Sequence, residues 1–415
     1  MQAKNNLLKF FPFWLFLLFF KIGAGLHYTL SSPLGEQLFP LWLVGIIVAC
    51  ATAIQVFLDV PAGYVLDKYG YLRCLKIGAT IFLIATTCFW FGLTPVTYLL
   101  SFFLASVGWL FFGPGVNAYI LSHAPKTHAG KFVAFRDVFS ALGSISACAL
   151  LAMVLLLPVQ KVGLFLSLFI LIALIALIFS PTDHTSVHKE QKLETQHHYI
   201  RRHYLGTLLK TIAKLNPAST LLLLVGLSGS IFYAIVWFVV PLIIAQKYEG
   251  SFFGIGLGVF DLATVLFGFL LGHIADKANK RIMMFVGLLI FTIASLLLGF
   301  QLGWMFLFFG FLASTGDAIA GISLWSWLFT LDKNHAHDGA VSGVLFLFQD
   351  LGWVIGPVMA GILYPILGAP NTIALGAIPI LVTFILAHFL APKNPCANLP
   401  VGTVPHKPLR CPHKT

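Results

Sequence analysis

Long apolar segments recur along nearly the whole of this 415-residue chain, from Leu7 to Leu390. A segment of about 20 apolar residues is long enough to cross a lipid bilayer as a helix. The composition agrees, because 9% of the residues are charged, whereas soluble domains carry roughly a quarter. A transmembrane β-barrel is excluded, because its strands alternate apolar and polar residues and these segments are continuously apolar. The sequence therefore predicts an all-α polytopic membrane protein.

The apolar segments predict twelve transmembrane helices in two groups of six. The spans are predicted at 7–30, 41–65, 74–91, 96–122, 132–157, 162–179, 218–246, 253–275, 282–300, 304–329, 341–366 and 372–390. The longest polar stretch separates the groups, which predicts an N-terminal bundle (1–179), a cytoplasmic linker (180–217), a C-terminal bundle (218–390) and a disordered cytoplasmic tail (391–415). The linker is rich in histidine, and we interpret it as a solvated linker with an interfacial helix; a metal-sensing loop is the alternative.

The positive charges predict the orientation of the chain. With the amino terminus in the cytoplasm, 21 of the 25 Lys and Arg residues fall in inner segments and two fall in outer loops. Lys and Arg accumulate on the cytoplasmic side of membrane proteins. We therefore expect both termini in the cytoplasm of a cell inner membrane, a monomer in contact with lipid, and no nucleic-acid partner despite the net charge of +11.

The two groups of six spans contain similar motifs. In each group, a Gly is followed four residues later by Asp, then directly by Lys, and then by further basic residues. The first copy consists of Gly63, Asp67, Lys68, Gly70 and Arg73, and the second of Gly272, Asp276, Lys277, Lys280 and Arg281. A second match aligns Asp137 and Gly143 with Asp350 and Gly356. Two copies of a six-span unit are typical of transporters built from internal repeats.

The first of these motifs resembles the signature loop of the major facilitator superfamily, Gly-x-x-x-Asp-Arg/Lys-x-Gly-Arg-Arg/Lys. The preceding segment from Asp59 to Gly63 is similar to the family's acidic lead-in, and the segment from Gly352 to Pro357 resembles a Gly/Pro motif of family antiporters. The resemblance implies two bundles that rock about a central site, with the two loops acting as a cytoplasmic latch; a purely topological anchor is the alternative. The fourth span lacks the Arg of many proton-coupled family exporters.

Seven charged residues fall inside the predicted spans, where each costs several kcal/mol and therefore points to function or to a partner. They are Lys21, Asp59, Arg136, Asp137, Asp261, Asp317 and Asp350. Asp350 lies roughly 14 Å and Asp317 roughly 18–20 Å into their spans, near the midplane, which makes them candidates for proton or substrate sites. A structural hydrogen bond between helices is the alternative for both. Burial and neighbouring acids favour the protonated carboxyl, as a proton-coupling site requires.

The remaining candidates have equally open roles. Lys21 either serves the site or pairs with an acid to satisfy its burial, and Arg136 either binds a substrate anion or pairs with Asp59 or Asp67. Several aromatic side chains either line an apolar cavity or pack in the core or against lipid. They are Tyr233, Trp237, Trp325 and Trp327.

Together these features predict a secondary transporter driven by the proton gradient, with no cofactor or metal and with no P-loop for ATP hydrolysis. An acid-rich, aromatic cavity favours export of a small amphipathic or cationic organic solute. The alternative is proton-linked uptake of a small organic nutrient or metal chelate, with Lys21 and Arg136 binding an anionic group. An intramembrane enzyme is disfavoured, because no metal or nucleophile motif occurs within the spans; a sensor or a channel is disfavoured as well.

Overall fold

The computed structural model describes residues 9–123, 129–181, 217–247, 250–277, 279–299, 304–331 and 338–390. The described residues fold into helices. These are α1 (Phe11–Thr29), α2 (Ser31–Glu36), α3 (Leu41–Tyr69), α4 (Tyr71–Thr87), a 3-10 turn (Cys88–Phe91), α5 (Pro95–His123), α6 (Ala129–Leu155), α7 (Val159–Ile178), α8 (Pro217–Lys247), α9 (Gly250–Lys277), α10 (Lys280–Gly299), α11 (Trp304–Leu331), α12 (Asp338–Gly376) and α13 (Ile378–Leu390). The histidine-rich stretch and the tail lie outside the described residues, so their predicted roles stay predictions.

Ten of the described helical segments are long and apolar enough to cross a membrane. One of them, Leu345–Phe389, has 45 residues, more than twice the roughly 20 that one span needs. It turns at Gly368, whose φ of 73° lies in the left-handed region that favours glycine. A shorter apolar helix, Gly256–Leu271, lies within α9. Counting the long segment as two spans and adding the shorter helix gives the predicted twelve.

Large apolar side chains cover the outside of the bundle. Phe57, Leu156, Phe179, Trp304 and Phe389 are each more than 70% exposed. A soluble monomer rarely exposes so much apolar surface, whereas a membrane protein presents it to lipid. The exposed surface therefore agrees with the polytopic assignment made from hydropathy.

The helices pack as two six-span halves that meet along two interfaces. Within the first half, α1 packs on α6 and α7; within the second, α8 packs on α12. Between the halves, α3 packs against α12 and α6 packs against α9. We call these contacts the α3–α12 seam and the α6–α9 seam.

The two halves are also joined at the end of the bundle that carries α2, which the charge distribution predicts to lie outside. The Ser32 hydroxyl donates a hydrogen bond of 2.7 Å to the carbonyl oxygen of Phe238 on α8. Next to it, Gln246 of α8 donates to Glu36 and accepts a hydrogen bond from Tyr364 of α12. The short helix α2, absent from the sequence prediction, thus closes this end of the molecule.

Equivalent helix contacts in the two halves are separated by one constant offset of 209 residues. A Cβ built on Gly143 would lie 2.7 Å from the carbonyl oxygen of Leu18, and one built on Gly352 would lie 2.8 Å from that of Leu227. Both α1 against α6 and α8 against α12 therefore approach so closely that a side chain at the glycine is excluded. The repeated unit predicted from sequence is present in the packing.

This register corrects the second sequence match, which paired Gly143 with Gly356. The structure pairs Gly143 with Gly352, one helical turn earlier. The error arose because small residues recur at four-residue spacing on α12, so that Gly352 and Gly356 offer the same match. As a result, Asp350 has no acidic counterpart in the first half, where the equivalent residue is Ala141.

Candidate functional site

Four of the predicted residues come together where the two halves face each other. Lys21 on α1 interacts electrostatically with Asp261 on α9, and Asp261 interacts with Asp317 on α11. Tyr233 on α8 donates a hydrogen bond to Asp317. All four side chains are half-buried. We call Lys21, Asp261, Asp317 and Tyr233 the central cluster; it combines one base from the first half with two acids from the second.

Lys21 is held by aromatic rings as well as by acids. Its Nζ lies 4.6 Å from the centre of the Trp109 ring and 5.6 Å from that of Phe112, both on α5. The face of an aromatic ring attracts a cation, and more strongly where water is excluded. Its Cβ also lies at the Gly143 crossing, which fixes the helix from which the side chain extends. The ammonium group is therefore positioned from within the first half and presented to the second.

Asp261 connects the central cluster to the α6–α9 seam. Ser144 of α6 donates a hydrogen bond to its carboxylate. The other oxygen, Oδ2, is buried and has no hydrogen-bond partner within the described part of the chain. Buried carboxylate oxygens are normally satisfied, so Oδ2 has capacity to bind a donor such as a proton, water or a solute group.

The predicted aromatic residues divide between this site and the packing around it. Tyr233 stacks on Phe291 at 5.9 Å, and its hydroxyl reaches Asp317. Trp237 and Trp327 are half-buried and pack on the main hydrophobic core, and Trp325 lies 5.5 Å from Phe346 of α12. Tyr233 is therefore the aromatic residue that the structure places in the central cluster.

The remaining midplane acid, Asp350, belongs to a different site. Its carboxyl is hydrogen-bonded to that of Asp59, across the α3–α12 seam. Both side chains are half-buried. From the sequence, Asp59 belongs to the loop motif and Asp350 to the substrate and proton site, and no contact between the two is predicted.

The prediction that Arg136 pairs with Asp59 is wrong. Arg136 donates through Nε to Asp137 at 2.8 Å, and it also hydrogen-bonds to the side-chain oxygen of Asn117 on α5. An extended Arg side chain can fold back on its neighbour, so the roughly 100° between adjacent helical positions does not keep the pair apart. The side chain of Asp67, the other predicted partner, lies outside the described residues. Arg136 and Asp137 also act electrostatically on Lys21, so they border the central cluster.

Comparison with known proteins identifies the fold. The Major Facilitator Superfamily sequence profile matches residues 6–333 and 222–410, which together span most of the chain. The chain belongs to this family. The family assignment makes it a transporter rather than an enzyme and confirms the resemblance on which the sequence analysis relied. A comparison with curated protein sequences gave no match.

Solved structures of the superfamily share this fold at low sequence identity. The inward-open xylose transporter XylE from E. coli is 15% identical, with a TM-score of 0.70 over 96% of this chain and 98% of that one. The human organic anion transporter MFSD10 is 16% identical, with a TM-score of 0.66 over 91% and 98%. The outward-facing FucP transporter is 15% identical, with a TM-score of 0.58 over 93% and 100%. At such identities the similarity establishes the architecture and not the substrate.

The superfamily loop motif is partly described. Gly70 connects α3 to α4 with a φ of 89°, a left-handed conformation that favours glycine, as the predicted turn requires. At Gly63, by contrast, no described atom lies within 4 Å of a built Cβ, so no described helix packs closely on this glycine. The basic residues lie at the helix ends: Arg73 is exposed, Lys68 lies 5.3 Å from the Tyr69 ring, and Arg281 lies 5.6 Å from that of Phe285.

The remaining motif residues lie outside the part of the chain whose side chains the structure describes. They are Asp67, Gly272, Asp276 and Lys277. The cytoplasmic latch that the family resemblance implies therefore stays a prediction.

Sequence reasoning missed three residues of the central cluster's surroundings. Ser144 supports Asp261, and Trp109 and Phe112 flank Lys21. A lysine in the middle of a span needs a partner. The aromatic residues around Trp109 in the fourth span could have indicated such a partner for Lys21. Ser144 had no such signal, because its contact depends on how two helices from different halves align.

Proposed function

We propose that this transporter is proton-coupled and exports a small amphipathic or cationic organic solute. The observation that carries the proposal is the composition of the central cluster. Asp261 and Asp317 contribute two negative charges against the single positive charge of Lys21 when all three are ionised. The remaining negative charge and the adjoining Tyr233 ring favour a cation or an amphipathic solute over an anion.

The arrangement also supports alternating access. Lys21 belongs to the first half, whereas Asp261, Asp317 and Tyr233 belong to the second. A solute that binds between them contacts both halves, so its presence changes the free energy of their relative movement. Protonation of Asp317 removes a negative charge from the same site, which links the proton to the solute.

A second candidate is proton-linked uptake of a small organic nutrient or metal chelate. Two observations favour it. The Lys21 ammonium group offers a binding point for an anionic or hydroxyl group, with Trp109 behind it. Among the solved structures that share the fold is a D-xylose–proton symporter, 17% identical with a TM-score of 0.69.

Purified protein in liposomes with an imposed pH gradient tests both candidates. The solute panel contains an amphipathic amine, a neutral sugar, a carboxylate and a ferric chelate, and a lumenal pH dye reports proton flux. We expect the amine to move against the proton flux, whereas a sugar or chelate moving with it favours the second candidate. Asp317→Asn is expected to uncouple the two fluxes, and Glu36→Gln, at the α2 end, is the matched control. Proton and solute fluxes that are independent in the wild-type protein would refute proton coupling.

The proposal also includes the oligomeric state, the membrane and the orientation of the protein. The transporter works as a monomer in a cell inner membrane, with both termini in the cytoplasm. The distribution of Lys and Arg supports this orientation, and accessibility of cysteines introduced at the two termini in sealed cells measures it.

A further inference from the structure

We propose that Asp59 and Asp350 share one proton across the α3–α12 seam, and that loss of this proton opens the seam on the predicted cytoplasmic side. The inference deepens the proposed proton coupling and rests on it. It assigns a coupling proton, in addition to the one that Asp317 takes up, to a pair of carboxyls that bridges the two halves and lies outside the central cluster.

The hydrogen bond between the two carboxyls depends on their protonation state. An ionised carboxylate has acceptor oxygens and no donor. The hydrogen bond between Asp59 and Asp350 therefore exists only while one of them carries a proton. Such a bond between a carboxylic acid and a carboxylate is short and strong. When the proton leaves to water, two adjacent negative charges remain and repel each other.

The second step is the position of the pair along the seam. Near the α2 end, α3 and α12 are in backbone contact: a Cβ built on Gly361 would lie 3.2 Å from the carbonyl carbon of Leu41, and Gly45 meets Pro357. Asp59 lies 14 residues beyond Gly45 along α3, a distance of roughly 21 Å, and Asp350 lies seven residues before Pro357 along α12, a distance of roughly 10 Å. The pair thus joins the halves on the predicted cytoplasmic side of the backbone contacts, and not within them.

The third step concerns the neighbours of the pair. The charged groups that act on Asp59 and Asp350 in the described structure are each other. The other titratable groups with described side chains on these two helices and on the elements packed against them are Cys50, Lys68, Tyr69, Tyr364, Glu36, Tyr71, Arg73, Cys74, Lys76, Tyr98, Tyr119, His123, Tyr233, Lys280, Arg281 and His388. The described partner of each carboxyl is thus the other carboxyl, and not a cation.

The central cluster and the Asp59–Asp350 pair therefore have different functions. A solute at the central cluster does not compete directly with the seam proton, because the proton sits between α3 and α12. Closing the seam requires a proton and opening it releases one, so the movement of the halves carries the proton. The central cluster then binds the solute and takes up a proton at Asp317, while the seam pair links a further proton to the movement of the halves.

The test measures how far the seam opens at different pH values. Spin labels are placed at Lys68→Cys on α3 and Leu347→Cys on α12, with Cys50, Cys396 and Cys411 changed to serine. We expect the label distance in the full-length protein in lipid to increase as the pH rises from about 5 to about 9, the range over which a shared carboxyl proton is released.

Asparagine variants distinguish a shared proton from general charge effects. In Asp59→Asn and in Asp350→Asn, the amide N–H donates to the remaining carboxylate at every pH, so the distance should stay short and stop responding to pH. Asp350→Glu keeps two carboxyls and should restore the response. Asp261→Asn, in the central cluster, should respond as the wild-type protein does. A protonated-carboxyl C=O band in the infrared spectrum should disappear in both single asparagine variants.

Several outcomes overturn the proposal. They are a wild-type distance that does not change with pH, asparagine variants that titrate as the wild-type protein does, or an infrared band unaffected by either substitution. The same preparations are assayed for solute exchange driven by a pH gradient. A pH-invariant seam with intact coupled transport refutes this inference alone, whereas a pH-responsive seam without coupled transport refutes the proposed function and leaves the shared proton standing.

Discussion

The two seams between the halves are formed by equivalent helices of the internal repeat. They differ in the groups that surround their acidic residues. On the α6–α9 seam, Asp261 accepts a hydrogen bond from Ser144 and lies in the field of Lys21. On the α3–α12 seam, Asp59 faces Asp350. The first acid has a neutral donor and a nearby cation, so it can stay ionised in contact with its partners. The second has an acid as its partner and keeps its hydrogen bond only with a proton.

The internal repeat shows where this difference comes from. At the 209-residue offset, Asp59 and Asp350 correspond to Gly268 and Ala141, and Asp261 corresponds to Thr52. Each seam therefore carries its charges at positions where the other carries small or neutral residues. The two interfaces are thus built from equivalent helices, and they differ in which positions are acidic: one contains the Asp59–Asp350 pair and the other contains Asp261 of the central cluster.

Removing the acid of the α6–α9 seam is expected to have the largest effect. Asp261→Ala leaves the Lys21 ammonium group without the acid that acts on it most strongly. Leaving a charge without its partner in the interior costs roughly 3 kcal/mol of stability or more. We expect a clear drop in the midpoint of thermal unfolding and loss of solute transport.

The double variant sharpens this prediction. Lys21→Met combined with Asp261→Ala removes both charges and should recover most of the stability without recovering transport. Asp137→Ala is the control, because Asp137 is 43% exposed and a pair with that much access to water contributes about 0–1 kcal/mol. Equal destabilisation by Asp137→Ala and Asp261→Ala would contradict the special role of the central cluster.

The second prediction concerns a variant that gives the acid of the α3–α12 seam a nearby cation, as Asp261 of the α6–α9 seam has. In Asp350→Lys, Asp59 gains a cation as partner, so the seam closes without a proton. We expect solute accumulation driven by the pH gradient to fall at least tenfold, equivalent to about 1.4 kcal/mol of coupling. Measurements of uptake with and without a pH gradient check it, with Gln349→Lys on the same helix as the control. Unchanged gradient-driven accumulation in Asp350→Lys would show that the seam proton does not drive transport.

The sequence was sufficient for the fold but not for the pairing of its charges. Hydropathy located the helices and basic residues suggested their orientation, because both signals depend on local composition. Asp350 and Asp59 were each recognised as candidates, but their contact depends on the tilt of two helices separated by nearly 300 residues. The displaced match of Gly143 with Gly356 has the same origin: a four-residue spacing of glycines satisfies two registers, and packing selects one.

The third prediction tests the support of Asp317. Tyr233→Phe removes the hydroxyl that donates to Asp317 and keeps the ring. Loss of such a bond costs about 1 kcal/mol, so we expect roughly a fivefold rise in the solute concentration for half-maximal transport. Tyr28→Phe is the matched control, because the buried Tyr28 hydroxyl has no hydrogen-bond partner in the described part of the chain. If both variants behave alike, the hydroxyl of Tyr233 does not serve the site.

The smallest expected effect comes from the aromatic support of Lys21, which distinguishes the central cluster from the all-carboxyl seam. Trp109→Phe keeps a ring under the ammonium group but weakens the attraction, because indole binds a cation more strongly than benzene. A change of about 0.5 kcal/mol predicts roughly a twofold loss of solute affinity. Trp90→Phe, at an exposed position of the 3-10 turn, should leave affinity unchanged. Because the described contact between Asp59 and Asp350 involves neither Lys21 nor Trp109, the pH response of the label distance should be identical in Trp109→Phe and the wild-type protein. An altered pH response would mean that the two sites are coupled through α5, which packs against α3.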